Sequence, residues 1–420
     1  MTSSNFVVAA MVLLVPLSDA LMHASQWETM RSGMVEHELE GNGGGSVPPA
    51  QGMTGMWVGK NGDMHRTGAS HGSIAPRDLA SGPAWRWRAP AGFLHSGLVV
   101  ATPLIDEQQN IIESAADGDI IKFSRDGQQL WSYSSGAHGG LAASPVLADG
   151  KIYTILGDGS FLSLDSQTGE RLWQSRLGNI TSFDSPSVLV TDGLVIAGVG
   201  RVPPNGPPGG APTIVAASIA DGQEVWRLNL NGTFTYNFMA SAHDGSIIFQ
   251  SEFGRVYRIS AIDGSVIWTQ PSGGLYMTTA GVALDMDGNI YAAYNHAAGE
   301  GVVKALSFGD GHILWERRFP MEANAAPAVG NLDGTRGGAL AVFVALGPNP
   351  EMPSLFPFAY TTIDAKAVAL NAVTGETIWE LTLPEWRGPA AGDTLLPPHI
   401  CLPDQFGNPA VDGNGTAYFV

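Results

Sequence analysis

Cysteine is almost missing: Cys401 is the single thiol in 420 residues. One thiol allows no intrachain disulfide and no cysteine-built metal cluster, so stability has to come from packing. Charge is sparse as well, 14% of residues, and lopsided, with 21 Lys and Arg against 39 Asp and Glu for a formal net charge of -18. That sign repels phosphate backbones, and no Lys/Arg-rich stripe overrides it locally, which excludes nucleic acid as a partner. The ten histidines show neither His-x-x-x-His nor His-Glu-x-x-His spacing, so the signature of a zinc hydrolase is absent. Gly-x-Ser-x-Gly occurs once, as Gly68-Ala69-Ser70-His71-Gly72, and no glycine cluster is followed by Lys-Ser/Thr. A glycine-rich chain poor in helix formers gives that single match no strand-to-helix turn, so it is not read as a nucleophile elbow, and a phosphate-binding loop is ruled out. No residue is assigned a catalytic role.

What the chain has in quantity is glycine (54), proline (27) and apolar residues (44%). That mixture suits short strands joined by tight turns and is a poor one for helices. The organising stretch is Asp165-Ser166-Gln167-Thr168-Gly169-Glu170-Arg171-Leu172-Trp173, preceded by the apolar alternation Phe161, Leu162, Leu164. It reads as a hairpin whose Gly169 takes the positive φ of a tight turn. The same Gly-to-Trp spacing of four recurs at Gly127/Trp131, Gly222/Trp226, Gly264/Trp268, Gly311/Trp315 and Gly375/Trp379. Starting from Trp87, successive tryptophans lie 44, 42, 53, 42, 47 and 64 residues apart. A period near 40–50 with alternating apolar residues marks four-stranded propeller blades, an architecture like that of WD40 repeats, rather than helical units. Trp87, Trp131, Trp173, Trp226, Trp268, Trp315 and Trp379 are the expected docking tryptophans.

The ends read differently. Residues 1–20 hold the apolar run Phe6 to Leu17 followed by Ser18-Asp19-Ala20, too short for a membrane-spanning helix and fitting a secretory signal. No later stretch is apolar enough to span. Residues 21–55, with Gly41-Asn42-Gly43-Gly44-Gly45-Ser46 and Pro48-Pro49, read as a flexible linker. The propeller is expected over 56–420, on the secretory or periplasmic side of a membrane.

Within the second full unit the strands are read as A, Ala143–Leu147; B, Lys151–Ile155; C, Phe161–Leu164; and D, ending on Trp173. Asp-Gly pairs at 149–150, 192–193, 244–245 and 287–288 supply the A–B turns. Asp285-Met286-Asp287-Gly288-Asn289 has the look of a calcium loop but lacks its liganding spacing and terminal glutamate, so it is read as a turn and no metal site is assigned. Asn408 to Val420 repeats the A–B pattern and stops. The Trp85/Trp87 strand is expected to close the ring as strand D of this unit. The reading is seven blade units, the last incomplete, with a truncated eight-bladed chain as the alternative.

Three long excursions, 200–212, 347–362 and 384–408, fall in B–C and D–A connections, which emerge on one face of an up-and-down propeller. Loops on a scaffold carry function, so that face is the expected binding surface for a protein, small-molecule or glycan ligand. His95, His138, Asp184, Tyr236, Asn237 and Tyr276 sit at D–A positions and are the candidate ligand-binding residues.

The repeated strand, Asp/Ser-x-x-Thr/Asp-Gly turn and docking tryptophan resemble the pyrroloquinoline-quinone-like β-propeller repeat over roughly Trp57 to Val420. Trp57 with Asn61-Gly62-Asp63-Met64-His65-Arg66-Thr67-Gly68 is similar to the segment that leads into the first blade of such proteins. The resemblance implies two possible functions. Quinone-dependent alcohol and sugar dehydrogenases cap the cofactor with bridged adjacent cysteines and hold calcium near a catalytic aspartate. Non-catalytic scaffolds serve outer-membrane β-barrel assembly and carry a lipidated cysteine after the signal, which this chain lacks near Ala20. With one cysteine the cap is impossible here, so the expectation is a non-catalytic scaffold without cofactor. A dehydrogenase using the quinone and calcium is the alternative, and a carbohydrate-binding propeller the third reading.

Overall fold

Alternating apolar residues between Asp-Gly turns build antiparallel sheet, and in the computed structural model every element among the described residues is a strand. The described residues are 55–70, 72, 83–87, 101–115, 118–136, 143–179, 186–200, 211–235, 237–332, 339–348, 359–390 and 407–419. The signal and the linker up to residue 54 lie outside them. Blades one to six each contain four strands in sequence order A-B-C-D, and a two-stranded hairpin, Ala410–Val411 with Ala417–Tyr418, forms a seventh unit. In the second blade the strands are Val146–Ala148, Lys151–Ile155, Ser160–Asp165 and Arg171–Arg176.

The A–B turns of the second, third and fourth blades take the two-residue mirror-image form that matches strand twist, whereas Asp287-Gly288 lies in a longer loop between Leu284 and Ile290. Asp149 and Gly150 have φ of 50° and 70°, and Asp192/Gly193 and Asp244/Gly245 repeat it. Strand A begins later than the sequence suggests. Ser144 leaves its own sheet to bridge Ser187 of the next blade, so regular pairing starts only at Val146.

The tryptophan repeat joins blades rather than closing a hairpin upon itself. Trp173 donates from Nε1 to the Ile219 carbonyl of the third blade at 3.0 Å, and its ring lies where a Cβ on Gly222 would be, 2.5 Å away. Trp131, Trp226, Trp268 and Trp315 make the same pair of contacts with the following blade, bonding to the carbonyls of Ser166, Ala261, Phe308 and Ala372. The turn glycine thus answers two demands, a positive φ and the close approach of a neighbour's indole. In every D strand the residue before the tryptophan is an extra one. Leu130, Leu172, Val225, Ile267, Leu314 and Ile378 fall at the register shifts. A bulge of this kind bends the strand and re-aims the next side chain, here turning the indole onto the adjacent blade while the bulged residue stays 43–50% exposed.

At the ring junction it is Trp85, not Trp87, that meets the first blade in this way. Trp85 Nε1 donates to the Arg125 carbonyl at 3.1 Å and the ring covers Gly127. Trp87 instead lies edge-on to Phe123, with centroids 5.2 Å apart. Residues 83–87 are in no strand among the described residues, and they supply the indole that docks on the first blade. Trp379 packs against Phe343 and edge-on to Phe419 of the seventh unit.

The innermost strands would leave a row of unpaired peptide groups facing the hub. Residues 55–70 fill that place. Gly55–Trp57 pairs with Leu104–Asp106 of the first blade. The carbonyls of Val58, Met64, His65, Thr67 and Gly68 then accept from Leu147, Ala242, Leu284, Val329 and Val411 of the second, fourth, fifth, sixth and seventh units. The third is reached through Arg66, whose Nη2 donates to the Val188 carbonyl at 2.7 Å. One short segment therefore bonds to the inner strand of all seven units.

Candidate functional site

The hub and the face where the long connections emerge are where a ligand would meet this scaffold. Arg66 is the central residue of the hub. Its Nε and Nη1 donate to Ala240 O (2.9 Å) and Lys60 O (2.7 Å), and burial lowers its pKa to about 10 despite nearby Asp63. Three carbonyl acceptors with no carboxylate in contact make it a structural rivet rather than an anion-binding group.

On the loop face, the excursions of the sixth blade meet. Ala359–Ile363, in the B–C connection, pairs antiparallel with Trp386–Ala390, in the D–A connection. These two excursions share one side of the ring; residues 201–210 of the remaining one lie outside the described residues.

Below them, the D–A connections are tied to one another around the mouth of the hub. Thr102 N donates to Ser144 Oγ, Ser144 N to Pro186 O, and Ser187 N to Asn237 O. Asn237 Nδ2 donates to Thr279 O at 3.2 Å, Thr279 N to Asn324 Oδ1 at 2.9 Å, and Ala326 N to Asn408 Oδ1 at 2.9 Å. Asn295 braces the belt, donating to Met277 O and to Asn324 Oδ1 and accepting from Ala323 N.

Of the six sequence candidates, His95, His138, Asp184 and Tyr236 lie outside the described residues. Asn237 is buried in the belt just traced. Tyr276 is on the surface between blades four and five, beside Leu275 and Met277 and near Phe253, whose carbonyl accepts from Gly274 N. The two described candidates are thus in different settings, one structural and one displayed. Asn295, Asn324 and Asn408 escaped the sequence reading; Asn324 and Asn408 lie in D–A connections and Asn295 on strand B of the fifth blade, Ile290–Ala297, and no shared pattern marks them.

The acidic turns are self-contained. Asp285 Oδ1 accepts from the amides of Asp287 and Asn289, and Oδ2 from Asn289 Nδ2 and the Tyr291 hydroxyl. Asp106 repeats the arrangement, with Lys122 Nζ 2.8 Å from Oδ2. With all four contacts made by the turn and its own sheet, these carboxylates are poor candidates for an ion. Among the described residues no group of three or more His, Cys, Asp or Glu is placed to hold a metal.

Two buried ionisable groups stand apart. Glu113, on strand B of the first blade, has its pKa pushed up to about 8 by burial, and its Oε2 has no hydrogen-bond partner. Lys304, held against Gly254 O (3.3 Å) and 4.8 Å over the Tyr294 ring, is brought down to about 8 by burial. Lys304 thus sits where the fifth blade meets the fourth. A recess of about 290 Å³ is bordered by Arg176, Asn179, Thr213 and Arg227 at the edge of blades two and three. Arg227 there is already paired with Glu224 and Leu177 O. It is small and polar beside the largely apolar clefts that take drug-sized ligands.

Comparison with known proteins agrees with this geometry. A family model described as outer membrane protein assembly factor BamB matches residues 44–200 and 211–420. Outer membrane protein assembly factor BamB of Burkholderia pseudomallei (strain K96243) is 23% identical over 278 residues, 64% of this chain and 63% of its own length. Methanol dehydrogenase [cytochrome c] subunit 1 of Methylobacterium organophilum is 36% identical over 111 residues, 26% of this chain and 16% of its own. The chain therefore spans less than two thirds of either relative. A europium-containing methanol dehydrogenase has a similar fold, with a TM-score of 0.58 at 13% identity, covering 87% of this chain and 81% of its own.

Proposed function

Since the chain belongs to the PQQ-like propeller family described as outer membrane protein assembly factor BamB, we propose that it is a non-catalytic scaffold that binds protein partners on its loop-rich face. The observation that carries this reading is the state of the hub. Residues 55–70 fill it, and the asparagines around its mouth are engaged by neighbouring peptide groups. We place the protein on the secretory or periplasmic side of a membrane, as the run Phe6 to Leu17 suggests, with residues 1–20 as signal, 21–55 as linker and 56–420 as the propeller.

The likeness to methanol dehydrogenases favours one alternative, a quinone-dependent dehydrogenase. The described residues do not match its needs. Cys401 is the sole cysteine, so no adjacent pair can cap a quinone, and no three described His, Cys, Asp or Glu side chains are grouped to hold a metal. No step is derived through such a cofactor.

One experiment separates the two. The purified protein is mixed with the quinone and calcium, desalted, and examined for quinone absorbance and for dye reduction with alcohols and aldoses. The scaffold reading expects neither. Retained quinone at one equivalent with turnover would establish the dehydrogenase instead.

A further inference from the structure

We infer that the contact between His65 and His243 is a proton-operated clasp, closing the hub segment onto the fourth blade at neutral pH and loosening it in mild acid. His65 lies on the hub segment and His243 at the end of the fourth blade's inner strand, Ser241–His243. Their ring nitrogens, Nε2 of His65 and Nδ1 of His243, are 3.3 Å apart, with ring centroids at 5.2 Å. Two imidazoles can share that hydrogen bond only while one of the facing nitrogens keeps its lone pair. Once both rings are charged, two N–H groups and two positive charges face each other.

The surroundings leave the pair little room to relax. His243 stands edge-on to Phe308, with centroids 4.8 Å apart, and a Cβ on Gly288 would meet its ring at 2.8 Å. The Arg258 guanidinium, 3.7 Å over the same Phe308, adds positive charge on that side, with Asp244 near it. Two carboxylates face His65, Asp63 from its own segment and Asp285 from the fifth blade, and both favour its charged form. Neither is free to swing. Asp63 is tied to the amide and hydroxyl of Thr67, and Asp285 to its own turn. Burial outweighs them, and with His243 beside it the His65 pKa falls below its ordinary 6.5.

The movable part is therefore the hub segment. The His65 carbonyl accepts from Leu284 N at 2.8 Å and from Ser241 Oγ at 3.2 Å. Displacing His65 breaks the segment's bonds to the fourth and fifth blades together. The sign follows from the lowered pKa: the clasp is complete above about pH 6.5, and its contribution is lost as the pH falls below that value. If the closed state holds His65 neutral and the open state titrates at about 6.5, opening rises at most about tenfold between pH 7.5 and 5.5.

Hydrogen–deuterium exchange with mass spectrometry on the full chain tests this, with rates corrected for the intrinsic pH dependence of amide exchange. Peptides covering 57–70 should lose up to about tenfold in protection at pH 5.5, while the second blade's C strand, Ser160–Asp165, should not change. His65→Gln removes the ring that must stay neutral and should make the protection of 57–70 equal at the two pH values; His243→Gln relieves the facing charge but leaves His65 buried, and should make the acid-induced loss smaller than in the unaltered protein. Equal protection of the unaltered protein at both pH values would overturn the clasp. So would the same acid-induced loss in a folded variant. This result does not depend on whether the protein is a scaffold.

Discussion

Glu113 gives the sharpest test of how burial governs this fold. Its Oε2 has no partner and burial raises the pKa from 4.5 to about 8, so the folded protein holds a proton that the unfolded chain releases near 4.5. For an acid shifted upward, the folded state binds the extra proton between the two values, and stability falls as the pH climbs through them. At about 1.4 kcal/mol per pH unit the upper limit is about 3.4 kcal/mol at pH 7 and about 4.4 at pH 8. Relaxation and the partly exposed stem of the side chain reduce this, and about 1–3 kcal/mol is expected in practice. Glu113→Gln keeps shape and polarity but cannot ionise. Chemical denaturation at pH 4.5, 6 and 8 should show the variant and the unaltered protein alike at the lowest pH. The variant should be more stable by that amount at the highest. An advantage that is absent at pH 8, or as large at pH 4.5, would show that the Glu113 carboxylate is solvated.

Two other substitutions probe the two sets of contacts that hold the ring. Trp173→Ala removes an interblade indole and its bond to Ile219 O; a loss of about 3–5 kcal/mol is expected in thermal or urea unfolding, and an unchanged melting temperature would contradict the docking role. Arg66→Met leaves the carbonyls of Lys60, Val188 and Ala240 without their donor. A cost of roughly 3 kcal/mol or more follows, and a variant as stable as the parent would show that the hub does not need the guanidinium.

The blade repeat was legible because its signals are local. A glycine that needs positive φ and a tryptophan four residues later can be counted without knowing what they touch. What they touch was not legible: Trp173 meets Gly222 of the next blade, not Gly169 of its own turn. At the ring junction, the local pattern Trp85-Arg86-Trp87 does not say which indole turns inward, and docking fell to Trp85. The inner strands start late for a related reason, since Ser144 is drawn across to Ser187. The hub segment was hidden most completely. Arg66 and Ala240 are 174 residues apart, and no period in the sequence connects them.

These contacts divide the stability of the ring into two kinds. An indole on the next blade's turn is a nearest-neighbour term, and in a repeat architecture such terms add along the chain. Losing one weakens a single boundary, so Trp173→Ala should open blades two and three first. The hub segment couples units that are not neighbours, because Val58, Met64, His65, Thr67 and Gly68 each hold a different inner strand. Arg66→Met should therefore lower protection across the third and fourth blades together, with weaker effects beyond them, and amide exchange can tell the two patterns apart. A ring fastened in both ways needs little from its outer surface. That leaves side chains such as Leu275, 82% exposed on the loop face, available for a partner, which is what the scaffold reading requires.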